Sequence, residues 1–182
     1  MDYLCFLQQL RQSTPHWLNE CIVFASEYIG DIGGLVLMAL VYWCINKRAG
    51  TFLLMNFSLA YVCNTVVKNI FCIERPFYRD ARLEPYVSAS GYSFPSGHTQ
   101  NAAATLGCTA MTMRKKALKI TFWVLYALVA FSRMYLGVHT PMDVGVSLVL
   151  GLAMTIGLYP LFRDAENNPK RIYALLGGMV GL

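Results

Sequence analysis

From Pro141 to Phe162 the chain carries one charged side chain, Asp143, and from Thr51 to Phe71 again only one, Lys68. Runs this long and apolar reach the roughly 20 residues an α-helix needs to cross a bilayer. Inside hydrocarbon the backbone satisfies its own N–H and C=O groups only as a helix or a closed barrel. Ala117 to Gly137 is a third such run, interrupted by Lys119 and Arg133. A fourth, Ile32 to Asn46, reaches full length if it starts near Asn19 and takes in Glu27 and Asp31. A fifth, Thr99 to Met113, is rich in small residues, with Ala102, Ala103, Ala104, Gly107 and Ala110 allowing close helix contact, which places it in the middle of a bundle. Composition agrees, because 56% hydrophobic and 14% charged residues leave too few charges to cover a water-soluble domain.

The expected fold is therefore all-α, an integral membrane helical bundle of five to six transmembrane helices in a single domain over residues 1–182. Met1 to Gln12, with Leu4, Leu7 and Leu10 beside Arg11, suits a short helix lying on the membrane surface. Ser13-Thr14-Pro15 reads as the cap and first position of the next helix. Arg171 to Leu182 is about half a span and reads as a sixth helix cut short.

If the five spans alternate, Lys47, Arg48, Arg114, Lys115, Lys116, Lys119, Arg163, Lys170 and Arg171 share one side, which the positive-inside rule makes cytoplasmic. The net charge of +5 thus reflects topology, and no basic patch interleaved with aromatics points to nucleic acid. The six cysteines are scattered without a CxxC pair and read as buried free thiols. The three histidines lie far apart, with no HExxH motif or carboxylate cluster, so no metal or other cofactor is expected.

The opposite side holds an unusual layer. Lys68 and Arg75 lie at the outer end of the second span and just beyond it, His98 starts the third, Arg133 and His139 flank the end of the fourth, and Asp143 begins the fifth. Ionisable groups at membrane depth are costly and turn inward to a partner or cavity. Three permanent cations, two imidazoles and one carboxylate make an anion-attracting pocket for which a phosphate is the natural guest. Glu27 and Asp31, four residues apart on one helix face, either steer a substrate headgroup or bond polar groups between helices, and the second reading is preferred.

The spacing falls into three ordered blocks: K-x6-R-P from Lys68 to Pro76, P-S-G-H from Pro95 to His98, and S-R-x5-H-x3-D from Ser132 to Asp143. Together these closely resemble the type 2 phosphatidic acid phosphatase superfamily, which includes membrane lipid phosphatases, soluble bacterial acid phosphatases and vanadium haloperoxidases. The resemblance spans residues 68–143, and the surrounding helices fit the membrane branch. It implies that His139 is a nucleophile forming a phosphohistidine, that Asp143 fixes its tautomer, and that His98 is the general acid and base. Lys68, Arg75 and Arg133 would hold the phosphate oxygens, with Ser96 and Gly97 presenting backbone amides at a helix start. The implied function is metal-independent hydrolysis of lipid phosphate monoesters drawn from the bilayer, on the extracytoplasmic face of the cell membrane. Prenyl diphosphate hydrolysis or lipid phosphotransfer would use the same residues. A non-catalytic lipid-phosphate binder predicts a missing catalytic residue, and none is missing.

Overall fold

A computed structural model describes residues 2–164, with side chains through 160. The described chain is helical, with no strand among its elements. Helix α1 is Asp2–Ser13, α2 is His16–Ile45, α3 is Lys47–Phe71, α4 is the single turn Pro76–Arg79, α5 covers 97–112, α6 is Lys116–Tyr135 and α7 is Pro141–Asp164. Helix α2 widens to π geometry over Ala25–Ile32 and Val41–Ile45, and α5 over Ala103–Gly107.

Among the described residues four helices are long and apolar enough to cross a membrane: His16–Ile45, the stretch Lys47–Arg79 that contains α3, Lys116–Tyr135 and Pro141–Pro160. The fourth run does extend back past Asn19, as its sequence required. The fifth expected span is helical, as α5, but lies outside that set of four. The half-span at Arg171 to Leu182 lies outside the described residues.

Small residues explain the position of α5. Ala102, Ala103, Ala104, Cys108 and Ala110 have no exposed surface, and α5 packs against α2, α3, α6 and α7. Gly151 of α7 sits so close to it that an added Cβ would lie 2.4 Å from the Ala103 Cβ. Gly151→Ala should therefore overpack the α5–α7 contact, costing about 1–3 kcal/mol. A thermal unfolding midpoint in detergent should drop for Gly151→Ala and hold for Gly157→Ala, where a Cβ meets nothing within 4 Å. Equal midpoints for the two variants would contradict this packing.

Polar side chains tie the bundle where apolar ones cannot distinguish lipid from protein. Asn56 donates to the Ala104 carbonyl (3.2 Å) and to Thr155 Oγ1 (2.8 Å), joining α3, α5 and α7. Helix α2 leans: its C-terminal end packs on α3 and its N-terminal half on α5 and α6. Between α2 and α3 lies an apolar groove of about 740 Å³, lined by Leu35, Met38, Trp43, Leu54, Met55 and Val62 among others.

Three expectations need revision. Helix α1 is anchored to the loop between α4 and α5 as well as amphipathic: Leu4 and Leu7 pack on Leu83, and the buried Arg11 donates to the carbonyls of Tyr135 (3.0 Å) and Glu84 (2.6 Å). Ser13 and Thr14 do not cap α2; both hydroxyls donate back to the Leu10 carbonyl, closing α1, and Pro15 stands one place before the first residue of α2. The cysteines are free, but only Cys108 is buried, while Cys21, Cys44 and Cys72 are exposed. An apolar stretch in a membrane helix faces lipid as readily as protein, so apolar neighbours did not imply burial.

Candidate active site

His139 is placed by the way α6 ends. Leu136 caps the helix and Gly137 follows with a φ of +77°, the left-handed conformation that glycine takes without penalty. The turn brings the amides of Val138 and His139 back to the Arg133 carbonyl (3.3 Å each), so Arg133 and His139 emerge at one level. A side chain at Gly137 would also press on the Arg11 guanidinium, 3.3 Å from its Cβ position.

Helix α7 starts at once, with Pro141 in its first turn. The Thr140 amide donates to Asp143 Oδ2 (2.7 Å) and the Asp143 amide donates to Thr140 Oγ1 (3.2 Å), a reciprocal cap. The same Asp143 Oδ2 accepts the Ser93 hydroxyl at 2.5 Å and lies 3.6 Å from His139 Nδ1. Asp143 therefore caps the helix and faces His139 together, although its short bonds go to Ser93 and Thr140. Ser93 also lies 3.4 Å from His139 Nδ1, joining the pair into a triad. With Nδ1 turned to this acidic corner, Nε2 keeps its lone pair for an electrophile.

His139 is almost completely buried, and burial holds its imidazole below the ordinary histidine value against the opposing pull of Asp143. The neutral ring is the form that can attack phosphorus. Arg75 stands on the Nε2 side at 3.5 Å. Its guanidinium also donates to the carbonyls of Ser90 (2.6 Å), Gly91 (3.1 Å) and Val138 (3.2 Å), so it secures the loop between α4 and α5 beside His139.

The P-S-G-H block opens α5. The Ser96 amide donates to the Asp143 carbonyl (3.2 Å), fixing the start of α5 against the start of α7. Ser96 is fully buried, and Thr99 donates to its hydroxyl (3.0 Å). A Cβ on Gly97 would lie 3.8 Å from the Lys68 ammonium and 3.4 Å from Asn64 Oδ1, so the glycine keeps the helix start open to the lysine. Asn64, one turn before Lys68, donates to the Pro95 carbonyl (3.3 Å) and to Gln100 (2.9 Å), locking this loop to α3.

Arg133 lies in the same layer but spends its contacts on α2: its Nη1 donates to Ser26 Oγ and Glu27 Oε1, both at 2.7 Å. His98 Nε2 is 3.1 Å from Asp31 Oδ2 and 3.5 Å from Glu27 Oε2. Glu27 thus bonds Arg133 between helices, and both Glu27 and Asp31 lie at ion-pair distance from His98, so the two carboxylates meet the expected acid and one of the expected phosphate ligands. The layer counts three carboxylates where the sequence reading had one. Among the described residues, no group of three or more His, Cys, Asp or Glu side chains is arranged to hold a metal ion.

Reading the motifs missed Ser93, which stands two residues before Pro95, and Asn64. Ser93→Ala should lower kcat about tenfold or more with little change in KM, since it removes a bond that orients Asp143 and none to substrate. Unchanged kcat would show that Thr140 alone holds Asp143.

Several membrane-length apolar helices gathered around phosphate-directed chemistry define a multi-pass membrane phosphatase. The chain belongs to the PAP2 superfamily, whose family model matches residues 49–166. It is 34% identical to phosphatidylglycerophosphatase B of Bacillus subtilis over 169 residues, 85% of this chain and 78% of that protein. It is 32% identical to the undecaprenyl-diphosphatase of Sulfolobus acidocaldarius over 138 residues, 74% of this chain and 66% of that one. Among solved structures it resembles the transmembrane PAP2-type phosphatidylglycerolphosphate phosphatase of Bacillus subtilis, with a TM-score of 0.74 and 26% identity, covering 90% of this chain and 86% of that chain.

Proposed function

We propose that this phosphatase hydrolyses lipid phosphate monoesters through a phosphohistidine on His139. The observation that carries the reading is the two-sided environment of His139: Asp143 and Ser93 at Nδ1, Arg75 at Nε2. Nε2 attacks phosphorus as the bond from phosphorus to the lipid oxygen breaks, and His98 gives that oxygen a proton. His98 then takes a proton from water, the water oxygen attacks phosphorus, the P–N bond breaks and inorganic phosphate leaves. Lys68, Arg75 and Arg133, with the Ser96 and Gly97 amides, stabilise charge on the non-bridging oxygens.

The substrate reaches the site sideways from the outer leaflet. Its chains stay in lipid and in the groove between α2 and α3, whose lining residue Val62 precedes Lys68 by about 9 Å of helix rise. The basic residues 47, 48, 114, 115, 116 and 119 cluster at the other end of the bundle, which supports an extracytoplasmic site. Hydrolysis of a prenyl diphosphate is the second reading, favoured by the undecaprenyl-diphosphatase names of three relatives.

Rapid quenching with radiolabelled lipid phosphate tests the mechanism. Acid-labile, base-stable label on the protein is the expected result, and turnover with no protein-bound label would exclude the covalent route. Turnover should persist in EDTA, because cationic side chains supply the charge that a metal would; strong inhibition by chelator would contradict that assignment.

A further inference from the structure

Glu27 and Asp31 have no part in the reaction just described, yet both reach its general acid. They lie on the π-widened stretch Ala25–Ile32 of α2, with side chains 40% and 39% exposed, while those of Arg133 and Asp143 are at most 4% exposed. They therefore form the open rim of the layer on the side of His98. Glu27 bridges Arg133 and His98 at once, holding Arg133 with one oxygen and approaching His98 with the other.

The corner is also incompletely bonded. Arg133 Nε, on an almost fully buried side chain, has no hydrogen-bond partner, nor do the buried atoms His98 Nε2 and Asp31 Oδ1. Arg133 Nε is a donor and Asp31 Oδ1 an acceptor, and His98 Nε2 serves as either according to its tautomer.

We propose that Glu27 and Asp31 form an acidic leaving-group subsite beside His98, which accepts an alcohol or water and rejects a phosphate, making the chain selective for phosphate monoesters over diphosphates. The inference rests on the phosphatase reading and narrows its substrate class. Because His98 protonates the departing oxygen, the groups beside it border whatever departs. In a monoester that is an alcohol, neutral once protonated, and in the second step the same position receives water. In a diphosphate it is a phosphate, still charged, set against two carboxylates. Like charges brought together across a binding site are an effective means of rejecting the wrong partner. Nor do the layer's permanent cations exceed its carboxylates, since Lys68, Arg75 and Arg133 are matched in number by Glu27, Asp31 and Asp143.

The test uses farnesyl phosphate and farnesyl diphosphate, which share one chain and differ in the leaving group, with the purified full chain in detergent. The wild type should favour the monophosphate in kcat/KM by about tenfold or more. Asp31→Asn and Glu27→Gln should each narrow that ratio by roughly tenfold, while Asp31→Glu, which keeps the charge, should preserve it. A wild-type ratio near unity or in favour of the diphosphate overturns the proposal even where a variant fails to fold. So does a ratio that neither neutral variant moves. Equal release from both compounds sinks the subsite and leaves the phosphatase reading standing, whereas no release from either sinks both.

Discussion

Replacing His139 with alanine is expected to leave no phosphorylated protein and to lower turnover about a thousandfold or more. Asp143, the carboxylate nearest the site, cannot take over as nucleophile because it is committed to Ser93 and Thr140. The surrounding structure should tolerate the change, since His139 is held chiefly through its backbone amide on the Arg133 carbonyl. The check is single-turnover kinetics together with acid-labile label on the same preparations. Turnover surviving near the wild-type rate would remove the nucleophile assignment.

The second large effect belongs to His98, and its signature is a dependence on the leaving group. An alkoxide is a poor leaving group and needs its proton, whereas a nitrophenolate departs without one. His98→Ala should therefore lower the rate on lipid phosphates by about a hundredfold or more, in the range general acids supply. On p-nitrophenyl phosphate the first step should be largely spared, and the phosphoenzyme should accumulate because water is no longer activated. Equal loss on both substrates would argue that His98 binds phosphate without transferring protons.

Much of this could be read from the sequence because motif residues carry their chemistry in their type and spacing. Lys68, Arg75, His98, Arg133, His139 and Asp143 fall at helix ends, and alternation of spans alone puts those ends at one level. The reciprocal cap of Thr140 and Asp143 was legible for the same reason, being local. What was not legible depends on partners far away in the chain. Ser93 meets Asp143 fifty positions later, and Glu27 meets Arg133 more than a hundred positions later. No periodicity reports such a meeting. Glu27 and Asp31 could be placed on one helix face, but which helix they faced depends on the lean of α2.

Bilayer solvent produced the remaining differences. In water an apolar cysteine is a buried one, whereas Cys21 and Cys44 sit on outward faces of α2. Arg11 failed in the opposite direction: a basic residue beside leucines suits a membrane surface, but three short-range contacts bury it against Tyr135, Glu84 and the ring of Tyr86, 5.5 Å away. The aromatics Phe94 and Tyr86 are likewise committed to protein, Phe94 against Phe71 and Tyr86 on Glu20. Tyr78 remains exposed.

Phosphate release by the purified protein in detergent micelles tests the central claim most directly, measured on phosphatidic acid, phosphatidylglycerophosphate, sphingosine phosphate and undecaprenyl diphosphate with chelator and vanadate controls. The account predicts release from one or more of the monoesters that resists chelator and is stopped by vanadate. A folded, monodisperse protein that releases phosphate from none of them, or only when a divalent metal is added, would contradict it.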